Sequence, residues 1–229
     1  MPRVYELKDL AANTDSANDY FQDFDLTLSI SCSKMQKFVE IETELQGVDP
    51  RAWEILKNEA IPFLQHRDEK RGWSQLFDIL YEAYGYNYLS KIGCKEIKFV
   101  PRSPSKGIKT PDLRAFLGDA RLICEIKRIN ISDEEISARR NIEVRVGENQ
   151  LSPGFFDKLK NVLLKARDQL LQFETATNAR RLVYVIIDFD DFTHESDSEY
   201  FNQIDDFIDS SQISDVEIVL HKRNVQNNT

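Results

Sequence analysis

The chain of 229 residues is 41% apolar and 30% charged, the balance of a globular protein long enough to bury a sizeable core. Its longest aliphatic or aromatic run, LVYVII at 182–187, is far too short to span a bilayer, and no apolar signal core follows Met1-Pro2-Arg3, so no membrane partner is expected. Three widely spaced cysteines (Cys32, Cys94, Cys124) with no CxxC argue against a disulfide framework or a structural zinc site and point to a reducing cytoplasm. The net charge of −9 speaks against a polyanionic partner, but the distribution reverses that inference. Between Lys91 and Arg181 there are 19 Lys and Arg against 12 Asp and Glu, a net of +7, whereas the rest of the chain carries −16. A basic middle framed by acidic ends offers a patch for phosphates, or is simply a solvated surface of mixed charge.

In chain order, residues 1–30 are polar and acidic, with DSANDYFQDFD reading as loop and Phe21, Phe24, Leu26, Leu28 and Ile30 suggesting an early strand. Residues 34–46 and 50–65 read as short helices, the second with Asp49 as N-cap and Pro50 at its first position. A helix over 68–84 ends at Gly85, with Trp73, Leu76, Phe77, Leu80 and Tyr84 on one face and Asp78 and Glu82 on the solvated side. Strands follow at 94–100, 112–118 and 121–129, the first two separated by the loop PRSPSKGIKTP and the last two by a hairpin-length turn at Gly118-Asp119-Ala120. Ser132 and Glu135 have capping-box spacing, so a helix is expected there.

Ser152-Pro153 opens a long helix to about residue 174, with Phe156, Leu159, Leu163, Ala166, Leu170 and Phe173 as its buried face. LVYVIID (182–188) has the composition of a central parallel strand; a helix at 198–209 and a strand at 215–221 close the chain. This order predicts an α/β fold, a central mixed β-sheet flanked by helices. The expected organisation is an N-terminal, mostly helical addition over 1–67 packed on a core over 68–229 with an acidic C-terminal segment.

Chemistry concentrates at TPDLRAFLGDARLICEIKRIN (110–130). Alternation along 121–129 puts Ile123, Glu125, Lys127 and Ile129 on one face, so a buried strand carries a carboxylate and an ammonium side by side. Burying such charges is costly unless they are paired, solvated or bound to metal. The hairpin turn is expected to bring Asp112 towards Glu125. Two carboxylates there make a hard-oxygen site suited to Mg²⁺ or Mn²⁺, and a lysine beside them can orient a water.

Pro111-Asp112 followed 13 residues later by Glu125-Ile126-Lys127, across strand–turn–strand, resembles the PD-(D/E)xK nuclease superfamily, with its restriction-endonuclease-like core. The triplet alone is unspecific: Glu6-Leu7-Lys8, Asp68-Glu69-Lys70 and Glu96-Ile97-Lys98 share it. The resemblance covers about 68–190 and implies a metal-dependent nuclease hydrolysing phosphodiester bonds, with DNA the expected substrate in a restriction, repair or defence setting. It implies Asp112 and Glu125 as metal ligands, the main-chain carbonyl of Ile126 as a further ligand, and Lys127 as the residue positioning the attacking water.

Members of the superfamily often add an acidic residue from the preceding helix. Glu69 fits that role if the helix runs back through Gly72, and is otherwise an ordinary surface charge. Gln169-Leu-Leu-Gln-Phe173 is similar to the QxxxY motif of the exonuclease-like branch, with Phe in place of Tyr. Gln169 and Lys165 either contact a phosphate or solvate the helix edge. Arg102, Lys106 and Lys109 stand in the loop leading to Asp112, where they contact a nucleic-acid backbone or serve solubility. A homodimer would suit cutting of both strands of a duplex. The alternative to an enzyme is an inert nuclease-like fold that binds nucleic acid or protein.

Overall fold

The computed structural model describes residues 1–12, 20–67, 73–102, 109–130, 150–175, 178–188 and 197–222. The fold is α/β. A mixed five-stranded sheet in the order β1-β2-β3-β4-β5 (Lys95–Phe99, Leu113–Leu117, Ala120–Asn130, Arg180–Asp188, Glu217–His221) is accompanied by helices. The chain divides into two compact units, one of residues 1–101 with 112–119, the other of 102–111 with 120–229. Residue 67, where the sequence suggested a boundary, lies inside the first. The helix expected from Ser132 and Glu135 lies outside the described residues.

In the first unit, α1 (Arg3–Ala12), α2 (Phe24–Ile30), α3 (Cys32–Gly47), α4 (Pro50–Ala60), α5 (Ser74–Leu80) and α6 (Glu82–Lys91) surround leucines and isoleucines with no measurable exposure, among them Leu7, Ile41, Leu45, Leu56 and Leu89. Helix α4 starts as its sequence dictates: the Asp49 carboxylate accepts from the amides of Arg51 (2.9 Å) and Ala52 (3.0 Å), and Pro50 holds the first position. Two expectations fail in this unit, and one helix stands where the sequence predicted no element. Residues 3–12 are helix, because Val4, Leu7 and Ala11 bury one stripe and the Glu42 carboxylate of α3 caps the amides of Arg3 (2.8 Å) and Val4 (2.7 Å).

The expected early strand is instead α2. Its alternating apolar pattern then buries Phe24 but leaves Leu26 and Ile30 exposed. The single helix expected to end at Gly85 is two helices, broken at Tyr81, and Gly85 sits buried within the second. The break has a local signature: the amide of Tyr84 bonds the carbonyl of Tyr81 at 3.1 Å, a three-residue step that tightens the turn. Strands β1 and β2 pair antiparallel, with a register shift between Lys95 and Lys98.

In the second unit β3, β4 and β5 run parallel, with β4 between its neighbours and residues 182–187 all buried, as the continuous apolar run predicted. Helix α7 (Pro153–Phe173) is capped by Ser152, whose hydroxyl accepts from the amide of Phe155 at 3.2 Å. Its buried stripe is Phe155, Leu159, Leu163, Ala166 and Leu170. Phe156 is only partly buried, against Phe207 of α8 (Asp197–Ser210), and Phe173 is exposed, so both ends of the expected face are shifted. The core joins this stripe to Ile123 and Ile129 of β3, Val183, Val185 and Ile187 of β4, and Tyr200, Phe201 and Ile204 of α8.

Candidate functional site

Parallel pairing sets Glu125 opposite Val183 and Lys127 opposite Val185. Residues opposed in this way share a face, so Glu125 and Lys127 stand in the row of Ile123 and Ile129, on the side of the sheet that α7 covers. Glu125 is only 2% exposed. A carboxylate left alone there would cost several kcal/mol, so the surrounding donors decide whether the strand tolerates it.

Both carboxylate oxygens are met. The Lys127 ammonium donates to Oε1, and the Gln169 amide donates to Oε2 at 2.7 Å. The two charges differ in wetting: the Glu125 side chain is 3% exposed and that of Lys127 is 29%, so the cation stem reaches outward from a carboxylate fixed in the interior. Gln169 is itself buried, between Ala166 and Leu170 on α7. Its second N–H donates to the main-chain carbonyl of Thr110 at 2.7 Å. One amide therefore ties together the helix, the charged strand and the end of the basic loop 101–111. The sequence left Gln169 between a phosphate contact and a solvated edge; the structure turns it inward, with both donors engaged.

The other expected residues lie as follows. Ile126, between Glu125 and Lys127, is buried and opposite Tyr184. Arg102 and Lys109 are exposed near the two ends of the loop, and Lys165 is exposed on α7. Lys106 and Glu69 lie outside the described residues. Asp112 belongs to the first unit, half-buried just ahead of β2, and its carbonyl accepts from the amide of Val100 at 2.9 Å.

Sequence reasoning missed Glu82. The helical wheel for one continuous helix placed it with Asp78 in solvent, yet Glu82 is 6% exposed while Asp78 is exposed as expected. The break at Tyr81 restarts the helix and rotates Glu82 inward, on an element that packs against β1 and β2. A second carboxylate buried in the unit that carries Asp112 is the signal a wheel drawn across a break cannot give.

Among the described residues no three His, Cys, Asp or Glu side chains stand grouped as a metal cage. A carboxylate such as Glu125 is the hard oxygen donor that Mg²⁺ or Mn²⁺ takes, and here both of its oxygens are engaged by protein donors. His221 is occupied otherwise, its ring nitrogen 2.8 Å from the Tyr184 hydroxyl. No helix among the described residues is long and apolar enough to cross a membrane.

No protein-family description matches the chain, and no curated protein matches it. Among solved structures it is similar to SfsA from Pyrococcus furiosus in complex with Ca²⁺, at 14% identity and a TM-score of 0.24 over 64% of this chain. The chain spans about half of that one (55%), and a likeness at this TM-score carries no weight for fold or activity.

Proposed function

We propose that the chain is a metal-dependent nuclease that hydrolyses phosphodiester bonds of nucleic acid, with DNA as the expected substrate. The observation that supports this most is the buried Glu125 carboxylate, oriented by the Gln169 amide on one oxygen and by Lys127 on the other. A purely structural strand gains nothing from a carboxylate there, since an apolar residue of similar volume is commonly neutral or stabilising.

In this reading, which keeps the ligands that the superfamily resemblance implies, Glu125, Asp112 and the Ile126 carbonyl would hold Mg²⁺ or Mn²⁺, with Glu69 as the accessory carboxylate. The bound cation supplies charge stabilisation and a more acidic water. The chain's own residues do the rest. Gln169 keeps the Glu125 rotamer fixed, and Lys127, the partly wetted member of the pair, orients a water and neutralises charge on a phosphoryl oxygen. Arg102, Lys106, Lys109 and Lys165 provide backbone-phosphate contacts that position a strand without reading its sequence.

The test is cleavage of supercoiled plasmid and of labelled single-stranded DNA and RNA in Mg²⁺, Mn²⁺ or EDTA. Metal-dependent cutting abolished by Glu125→Ala and by Lys127→Ala is expected; cutting that survives Glu125→Ala would sink the assignment. A second reading, an inert binding module, draws on the same geometry, because both Glu125 oxygens are already satisfied by protein donors. Salt-sensitive DNA binding without cutting would favour it.

A further inference from the structure

The antiparallel ladder of β1 and β2 has two unlike faces. Phe99 and Leu113 are opposed and buried, and the Phe99 ring stacks on Tyr86 of α6 with centroids 5.6 Å apart, so α6 covers that side. Directly opposed residues share a face, which puts the pairs Lys98–Arg114 and Lys95–Phe116 on the other side. All four are exposed, Phe116 at 39%.

Two lysines three residues apart do not share a face of a regular strand. Lys95 and Lys98 do, because β1 carries one residue more than β2 between the opposed pairs, and Glu96 lies in that irregularity with a φ of +51°. Residues other than Gly, Asn and Asp seldom adopt this left-handed conformation. Lysines and a bulge also serve to protect an edge strand, and β1 is one. Edge protection does not account for Arg114 and Phe116, which stand on β2, inside the sheet order. Among the described residues neither Lys95 nor Arg114 has an ion-pair partner. Lys98 meets the exposed Glu96 at 3.3 Å, a solvated pair of the kind that contributes little and is readily exchanged.

We propose that this face is a platform for single-stranded nucleic acid. A base stacks on the Phe116 ring, and the phosphates beside it lie against Lys95, Lys98 and Arg114. Charge and ring together select this occupant: three cations around one exposed ring suit a polyanion that carries flat apolar groups along its length. The bases of a duplex are already stacked on one another and leave the ring without a partner. An acidic peptide matches the cations but brings no flat face to the ring. The inference rests on the nuclease reading for the class of ligand. Its four residues all belong to the first unit, and none is assigned to catalysis.

The test is fluorescence anisotropy of the full chain in EDTA with a labelled oligothymidylate of about 12 nucleotides, and with an abasic strand of the same length. Phe116→Ala should weaken oligothymidylate about tenfold, leave the abasic strand unchanged and keep the melting temperature near wild type, because the ring is exposed. Phe116→Trp should restore the affinity. Lys95→Ala with Arg114→Ala should lower the salt slope by about 1.4 on both strands. An affinity for oligothymidylate that Phe116→Ala does not change, or an equal loss on the abasic strand, overturns the proposal. Binding of labelled polyglutamate that falls with Phe116→Ala as much as oligothymidylate binding does overturns it in favour of an acidic peptide. Cutting is silent in EDTA, so the catalytic assignment and this surface stand or fail separately.

Discussion

Gln169 has two N–H donors, and the structure spends one on Glu125 and the other on Thr110. Replacing it with leucine keeps the volume but removes one donor from the Glu125 carboxylate and one from the Thr110 carbonyl. Gln169→Leu is therefore expected to destabilise the chain by about 2–3 kcal/mol in urea denaturation at pH 7, and a change below about 0.5 kcal/mol would mean that the amide is not the partner of Glu125. Gln169→Glu should be worse at pH 7, because it faces one carboxylate with another, and should recover as acid protonates the pair. Glu44 provides a test of opposite sign. Burial pushes its carboxyl above the ordinary value, a bond from Asn87 opposes this, and nearby Glu40 adds to the rise. A carboxyl whose folded value is raised binds its proton more tightly in the native state, so stability is lost as pH climbs from the unfolded through the folded value. Glu44→Gln keeps an acceptor for Asn87 and removes the charge, so its melting temperature should exceed wild type at pH 7, with the gain vanishing below the carboxylate range.

At the scale of elements, the packing of α3 on α6 reverses a common expectation. Glycine to alanine near a helix end usually helps a little. A Cβ on Gly47, however, would lie 2.6 Å from both polar atoms of the Asn87 side chain, which donates to the carbonyl of Glu44 (2.7 Å) and to its carboxylate (2.6 Å). Gly47→Ala must displace those bonds and should cost about 1–3 kcal/mol, measured by thermal unfolding; a rise in melting temperature would refute the contact. The same elements show which parts of the fold were legible. Helices α4 and α7 announce themselves through Asp49-Pro50 and Ser152-Pro153, and β4 through its unbroken apolar run, because each signal is local. Helix α1 was hidden because its amides are capped by Glu42, a residue distant in sequence, and α2 because its apolar residues alternate as a strand's do. The face shared by Glu125 and Lys127 followed from alternation alone. Gln169 was visible only as half of a motif with Phe173 in place of Tyr, and Glu82 needed the break at Tyr81, which no periodicity revealed.

For the whole molecule the proposed function raises the question of how a chain of net charge −9 would hold a polyanion. Attraction has to be local, supplied by the stretch from Lys91 to Arg181, where the balance is +7, against repulsion from the rest. Binding of this kind releases counterions, and the logarithm of the affinity falls linearly with the logarithm of salt, by roughly 0.7–0.9 per phosphate neutralised. Lys109 and Lys165 are exposed, the first two residues before Pro111 and the second on α7 one turn ahead of Gln169. If both contact phosphates, Lys109→Ala with Lys165→Ala should lower the slope by about 1.5, measured by anisotropy on a labelled oligonucleotide in EDTA, where cleavage is suppressed. Lys222→Ala serves as the control, because Lys222 is paired with Asp205 in the acidic C-terminal part and its loss should leave the slope unchanged. An equal fall for the control would mean that the molecule responds to net charge alone. An unchanged slope in the double variant would remove the loop and α7 from the interface and leave the basic middle of the sequence as a solvated surface.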